Sequence, residues 1–428
     1  MSRKTAFDFL DRHGMSPERI VPSQWAPRMR DNMERGLGGD TSALPMIPTY
    51  LKMDGAVPKN RRVIVIDAGG TNFRSALAGF TEKGFETEEL SKCSMPGIGE
   101  PATWEEFIRF VADRIMPLTD RAGSIGFCFS YMADITPEID GRVVRIDKEV
   151  VVNGASGKLV GASLLAELVS RGVAGKKIVI LNDTAAVLLG GSASLDKSEY
   201  GGFIGQVSGT GTNTCCVLPA SRITKLGRKD DNGIIVNLES GLYDELPRGD
   251  FDLLLDAESN NPGLKFFEKM TAGVYLGELC RLMLRAAADE GLLTVKTAEN
   301  VRALGSIDSA VIDAWASGEG LSDFCGSEED RDFVQTLSLA MFERSARCMC
   351  TNLAAIMLLT GEGGGESKPV CVCAEGSLVQ KGRHYRPMLE RLLREEAAGK
   401  LGRHAVLKVG QETTLPGSAA AALLNCGE

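Results

Sequence analysis

Apolar residues along this chain gather into two patterns with different periods. Short continuous runs, rich in β-branched residues, occupy 63–66 (V-I-V-I), 124–131 (S-I-G-F-C-F-S-Y), 177–181 (K-I-V-I-L) and 370–373 (V-C-V-C). Their length and composition predict buried strands. Helical spacing marks 5–35, with Ala6, Phe7, Phe9 and Leu10 near one face and Gly36, Gly38 and Gly39 as the stop. It recurs at 104–118, where Phe107, Phe110, Val111 and Ile115 are apolar, and at 163–170, 185–189, 251–255, 262–285, 333–359 and 385–398. An alanine-rich helix is expected over 418–426. Between these, 44–50 (L-P-M-I-P-T-Y) reads as extended, 135–155 as irregular around an Asp140-Gly141 turn, and 361–366 as a glycine-rich loop.

Strand, helix and strand in that order predict an α/β fold. The run at 63–66 ends on Asp67 and continues A-G-G-T-N-F-R to Arg74. Gly69 and Gly70 permit a tight turn with positive φ, and Thr71, Asn72 and Arg74 return with donors for an anion. A buried strand, an acid, two glycines and a hydroxyl fit a nucleotide phosphate with its metal. They also fit an ordinary hairpin capped by Asp67. Residues 201–218 repeat the plan: V-S-G-T-G-T-N-T-C-C-V-L stands beside I-D-A-G-G-T-N-F-R-S-A-L. Two such hairpins predict an internal duplication.

Composition changes this picture only at its edges. The 428 residues suffice for two domains with sizeable cores, and 43% hydrophobic with 25% charged residues is ordinary for a globular protein. A net charge of −9 argues against a general nucleic-acid or anionic-membrane binder, while local loops can still hold a phosphorylated small ligand. Eleven cysteines in so long a chain are not a disulfide framework. Cys128, Cys215, Cys216, Cys371 and Cys373 read as buried thiols. With no C-x-x-C and only His13, His384 and His404 as imidazoles, a zinc site is not expected. The first ten residues lack an apolar signal core, and the longest apolar run, near 353–359, is too short to span a bilayer. A reducing, cytoplasmic setting is expected.

Candidate chemistry sits at the ends of the strands. Asn182-Asp183 follows the run at 177–181, at the carboxyl edge where open α/β sheets bind ligands. An aspartate there can accept the proton of a hydroxyl that attacks phosphorus; before Thr-Ala-Ala it equally suits a helix N-cap. Thr210 and Gly211 form a second glycine turn that fits neither G-x-G-x-x-G nor the Walker pattern, so neither a Rossmann site nor a P-loop is supported. Glu239 (V-N-L-E-S-G) and Glu268 (N-P-G-L-K-F-F-E-K-M), read singly, are surface carboxylates. Converging with Asn182, Asp183 and Asn213, they would suit a polyol.

The order of the pieces carries more than any one of them. D-A-G-G-T-N-F-R, F-C-F-S, a lone Lys148, L-N-D-T, G-T-G-T-N, N-L-E-S-G, N-P-G-x-x-x-F-E-K-M-x-x-G-x-Y-L-G-E-L and E-G-S-L, led by L-P-M-I-P-T-Y, resemble the eukaryotic-type hexokinases from residue 44 to the final helix. The resemblance implies a two-lobed, actin-like ATPase (ribonuclease H-like) fold with duplicated lobes about a cleft. Residues 63–181 with 418–428 would form the small lobe, and 1–62 with 182–417 the large one. It implies transfer of the γ-phosphate of ATP, with Mg²⁺, to the 6-hydroxyl of a hexose, glucose first. By position, Asp183 matches the family's general base. Asn182, Asp183, Asn213, Glu239 and Glu268 match its sugar ligands, joined by Ser130 and Lys148 from the small lobe. Asp67, Gly70, Thr71, Asn72 and Arg74 match the first phosphate segment, with Asp67 toward the metal; Thr210 and Gly211 match the second, and Gly376 and Ser377 the adenosine segment. The chain departs from the family twice: Ser130-Tyr131-Met132 replaces the usual Ser-Phe-Pro, and Asp147-Lys148 the usual Thr-Lys. The carboxylate of Asp147 bears on hexose preference. A catalytically weak sugar sensor would keep Asn182, Glu239 and Glu268 without needing a base. An actin- or chaperone-like ATPase would have no use for the two glutamates.

Overall fold

The computed structural model describes residues 2–146 and 150–427. Two helices open the chain, α1 (Ser2–Arg12) and α2 (Pro22–Leu37), where spacing predicts one. Gly14, at φ +65°, ends the first, and Pro17 and Pro22 each restart the chain, the former in a 3₁₀ turn and the latter in the first turn of α2.

Five strands then form one sheet: β1 (Arg61–Gly69), β2 (Asn72–Thr81), β3 (Gly84–Ser94), β4 (Ser124–Phe129) and β5 (Lys177–Leu181), in the order β5-β4-β1-β2-β3. Helices α3 (Trp104–Ile115), α4 (Val160–Ser170) and α5 (Asp183–Ser192) connect and follow them. The region expected to be irregular holds a short hairpin, Met132–Ile135 with Gly141–Arg145. Its Asp140 carboxylate accepts the N–H groups of Gly161 and Ala162 at 2.6 and 2.8 Å, anchoring the start of α4.

The second half runs β6 (Gly202–Ser208), β7 (Thr212–Pro219) and β8 (Gly233–Asn237), and then through helices α6 (Asp250–Glu258), α7 (Phe266–Thr271), α8 (Gly273–Asp289), α9 (Val295–Ala303), α10 (Ser309–Ala316) and α11 (Glu328–Thr360). It closes with β9 (Val370–Glu375), α12 (Ser377–Lys381), α13 (Tyr385–Leu392), β10 (Ala405–Val409) and α14 (Thr414–Asn425). The sheet order is β8-β7-β6-β9-β10, with Ile47–Pro48 on the free edge of β8. In both sheets the first strand pairs antiparallel with the second, the second antiparallel with the third, and the first parallel with the fourth, which is parallel to the fifth. The duplication expected from two hairpins therefore extends to the whole strand order.

Sequence spacing predicts one helix over 262–285, but the chain breaks at Ala272 (ψ 142°). The Gly273 N–H donates to the Gly209 carbonyl at 2.8 Å, so the second glycine turn draws the backbone out of helical geometry there. Helices α9 and α10 were not expected, being short and only weakly apolar in spacing.

Period-2 alternation divides each central strand between two cores. Ile64 and Ile66 of β1 pack with Trp104, Phe107 and Val111 of α3 and Leu164 and Leu168 of α4. Val63 and Val65 face a central layer with Ala185, Ala186 and Leu188 of α5, Ala419 to Ala422 of α14, and Cys215, Cys371 and Cys373 from the second sheet. Burial on both faces is why these strands read as unbroken apolar runs. Within the central layer α5 and α14 cross closely. A Cβ on Gly190 would lie 2.2 Å from the Thr413 carbonyl oxygen, and one on Gly417 2.0 Å from that of Ala186. Only glycine permits that approach. Among the described residues, no helix is long and apolar enough to cross a membrane.

Candidate active site

The start of α5 is the first fixed point. Asn182 Oδ1 accepts the Ala185 N–H at 3.0 Å, so Asn182 is the N-cap and Asp183 the first helical residue. The N-cap reading of Asp183 is thereby corrected: its neighbour fills that role. The Asp183 carboxylate, half-buried, accepts the Thr184 hydroxyl at 3.1 Å.

On one side lie the amides and acids of the second half. Asn213, near the start of β7, donates from Nδ2 to Asn237 Oδ1 at 2.8 Å, and Asn237 Nδ2 donates to Glu239 Oε1 at 2.6 Å. Glu239 sits at φ +57°, a left-handed conformation that turns the chain sharply after β8. Burial pushes its carboxyl above the ordinary range, the Asn237 donor draws it back, and the nearby charges of Asp183 and Glu268 push it up further. Glu268 of α7 accepts the Thr212 N–H at 3.2 Å and pairs with Lys265 at 3.3 Å. A Cβ on Gly211 would come within 3.0 Å of Glu268 Oε2. Asp183, Asn213, Glu239 and Glu268 are thus brought together.

On the other side is the first hairpin. Asp67 lies opposite Arg74 in the β1–β2 ladder, and Asp67 Oδ2 accepts from Arg74 Nε and Nη2 at 3.0 and 2.6 Å. Burial raises the Asp67 carboxyl, Arg74 lowers it, and Asp183 raises it again, so the two aspartates share one electrostatic neighbourhood. The donors expected to meet an anion are, at Arg74, spent on Asp67 and on Thr414 Oγ1 at 3.2 Å. Gly70 takes φ +59° at the turn, and its carbonyl accepts the Tyr131 hydroxyl at 2.9 Å. Thr71 and Asn72 flank that turn, and the Asn72 amide donates to the Thr71 hydroxyl at 3.3 Å. Ser130 donates its N–H to Ala68 and packs so near that a Cβ on Gly69 would lie 2.9 Å from its Oγ.

The second hairpin closes through Gly209 N–H to Gly211 carbonyl at 3.0 Å, with Thr210 exposed at its tip. Gly376, at φ +120°, lies against it: a Cβ there would sit 2.3 Å from the Ser208 carbonyl oxygen, and one on Gly209 3.2 Å from Ser377 N. The structure therefore brings 208–209 and 376–377 into contact. Lys148 and the neighbouring Asp147 lie outside the described residues.

Sequence reasoning passed over Asn237 and Tyr131 as site residues. Both line a small cleft with Asn182, Thr49 and Ile47. Asn237 was legible in one respect: it stands two residues before Glu239 in the V-N-L-E-S-G motif.

Two family models, each described as hexokinase, match the chain over residues 203–424 and 8–193. The chain is 27% identical over 389 residues to hexokinase-1 of Schizosaccharomyces pombe, covering 83% of this chain and 78% of that protein. It is 28% identical over 453 residues to a glucokinase of Aspergillus niger, covering 88% and 89%. A solved structure described as hexokinase superposes with a TM-score of 0.82 at 20% identity, covering 98% and 99%. A hexokinase from Schistosoma mansoni complexed with glucose gives 0.75 at 19%, covering 99% and 100%. These likenesses show the two-lobed, actin-like ATPase fold.

Proposed function

Because the chain belongs to the hexokinase family, and so is a hexose kinase that uses ATP, we propose that Asp183 is its general base, that Mg²⁺ accompanies the nucleotide at Asp67, and that glucose is its preferred hexose. The observation that carries the first part is the capping of α5 by Asn182. It leaves the Asp183 carboxylate within electrostatic reach of both Asp67, assigned here to the phosphate side, and Glu239, assigned to the sugar side.

Phosphoryl transfer asks little covalent chemistry of a protein; positioning and electrostatics do most of the work. Asp183 accepts the proton of the 6-hydroxyl as its oxygen attacks the γ-phosphorus, and the bond to the β,γ-bridging oxygen breaks as ADP leaves. Asn182, Asn213, Glu239, Glu268, Ser130 and Lys148 orient the sugar hydroxyls. N–H groups of the hairpins at Gly70–Asn72 and Thr210–Gly211 receive charge spreading over the phosphate oxygens, with Gly376 and Ser377 against the adenosine.

Arg74 takes only Asp67 Oδ2; Oδ1 is a hard carboxylate oxygen that fits Mg²⁺, which keeps several of its waters and needs few protein ligands. When bound, Mg²⁺ offsets phosphate charge. Closure of residues 63–181 and 418–428 against the remainder would exclude water, which otherwise competes as acceptor. Preference for glucose is supported by the relative named glucokinase and by the glucose complex of the structural neighbour. A cytoplasmic setting accords with eleven free cysteines.

The test is hexose-dependent ADP release over a panel of glucose, mannose, fructose and glucosamine, for the wild type, Asp183→Ala and Asp147→Thr. Asp183→Ala should still bind hexose while losing nearly all turnover. Retention of more than a few per cent of kcat would remove Asp183 from the base role. A higher kcat/KM for another hexose would overturn the glucose preference alone.

A further inference from the structure

We propose that Glu375 is a positioning residue for the nucleotide half of the site, acting through Thr413 and the start of α14. The inference rests on assigning Gly376 and Ser377 to the nucleotide, as above.

Glu375 is the last residue of β9 and directly precedes Gly376. Its Oε2 accepts the Thr413 N–H at 2.9 Å and also the Thr413 hydroxyl. The loop before Thr413 is fastened to the same segment at its other end. Gln380 of α12 donates from Nε2 to the Gly410 carbonyl at 2.6 Å, and the Gly410 N–H donates to Ala374 at 2.9 Å. The next residue, Thr414, accepts from Arg74 Nη2, which together with Nε also holds Asp67. A continuous polar path therefore runs from the residue beside Gly376, through the first residues of α14, to the carboxylate on the opposite sheet.

The packing gives this path stiffness. Beyond Thr414, α14 is seated on glycines: Gly126 of β4 lies so close that a Cβ would be 1.9 Å from the Ser418 carbonyl oxygen, and Gly417 meets Ala186 equally tightly. A helix packed without slack cannot absorb a shift at its first turn locally. Loosening Thr413 should therefore reach both Gly376-Ser377 and the Arg74–Asp67 pair.

One detail sharpens the test. Both Thr413 donors converge on a single oxygen of Glu375. The amide oxygen of glutamine can accept both bonds, so the charge is dispensable and the acceptor is not.

Steady-state kinetics of the full chain should be measured with ATP varied at saturating hexose, and then the reverse. Glu375→Ala should raise KM for ATP by about tenfold, the loss expected when the Thr413 donors are left without an acceptor, and leave KM for hexose within about twofold. Glu375→Gln should restore the wild-type KM for ATP. Thr413→Val, which keeps the N–H and loses the hydroxyl, should fall between, and it preserves the test if the alanine variant does not fold. Equal rises in both KM values, failure of glutamine to rescue, or unchanged KM for ATP in Glu375→Ala and Thr413→Val would each overturn the proposal. Absence of hexose-dependent ADP release in the wild type would instead strike the functional reading.

Discussion

In the first half of the molecule β5 delivers Asn182-Asp183-Thr184 to the start of α5; in the second, β10 is followed by Glu412-Thr413-Thr414 at the start of α14. The strands before these helices occupy matching places in sheets of the same order, and the two helices cross each other at Gly190 and Gly417. Yet the acids differ in fate. Asp183 lies half-buried among Asp67, Glu239 and Cys128. Glu412 takes φ +53° and leaves its side chain 85% exposed, 3.7 Å from Arg74. The hairpins differ too: an ion pair spans the first, whereas the second is held by backbone bonds and by Glu268 from outside. A duplicated scaffold supplies two equivalent edges, and under the proposed function the residues placed there would divide proton transfer from nucleotide holding.

The largest expected break in this comparison comes from exchanging the acids for their amides. Asp183→Asn should lower kcat by about 10³-fold, within the range for loss of a general base, while Glu412→Gln changes it less than about twofold. Comparable losses in single-turnover assays would deny the two helix starts their different roles.

Asn237→Ala comes next. It removes the donor to Glu239 and the acceptor of Asn213, so kcat/KM for hexose should fall by about 10- to 100-fold with KM for ATP nearly unchanged. An equal effect on both substrates would show that Asn237 supports the fold rather than the sugar side.

The crossing itself can be broken from either half. Gly190→Ala and Gly417→Ala each place a methyl on a carbonyl oxygen and should each cost about 1–3 kcal/mol in denaturant unfolding. Strongly unequal costs would show that the central layer is less symmetric than the sheets around it.

The smallest effect concerns the two first strands. β1 starts on exposed Arg61, but at the start of β6 a Cβ on Gly202 would lie 1.5 Å from Glu362 Oε2. Burial pushes the Glu362 carboxyl up to about 7 from 4.5. The folded value exceeds the unfolded one, so this stabilising contribution is complete below about pH 4.5 and is lost as pH rises through about 7. Glu362→Gln should therefore raise Tm by on the order of 1–2 °C at alkaline pH and have no advantage at about pH 4. A pH-independent shift in scanning calorimetry would contradict the burial argument.

Much of the fold was legible because both sheets are covered on both faces, and such strands write themselves as apolar runs. The repeated hairpin could be read because glycine turns have few alternatives. Where reading failed, the cause lay outside the local window. A single helix over 262–285 is locally sensible, and only the Gly209 carbonyl, distant in sequence, breaks it at Ala272. The site showed the same divide. The motif order placed Asp183, Glu239 and Glu268 in one family pattern, whereas Asn237 stood inside V-N-L-E-S-G with no role attached to it.

The sequence by itself determined the α/β class, the paired hairpins and which carboxylates were candidates, because these follow from period, turn chemistry and motif order. Only the tertiary structure decided that Asn182 takes the cap and leaves Asp183 to the cleft, that Arg74 is committed to Asp67, and that Glu375 holds Thr413. Those outcomes depend on which donors come within about 3 Å of which oxygens, a distance that strand pairing and helix packing set and that no local pattern records.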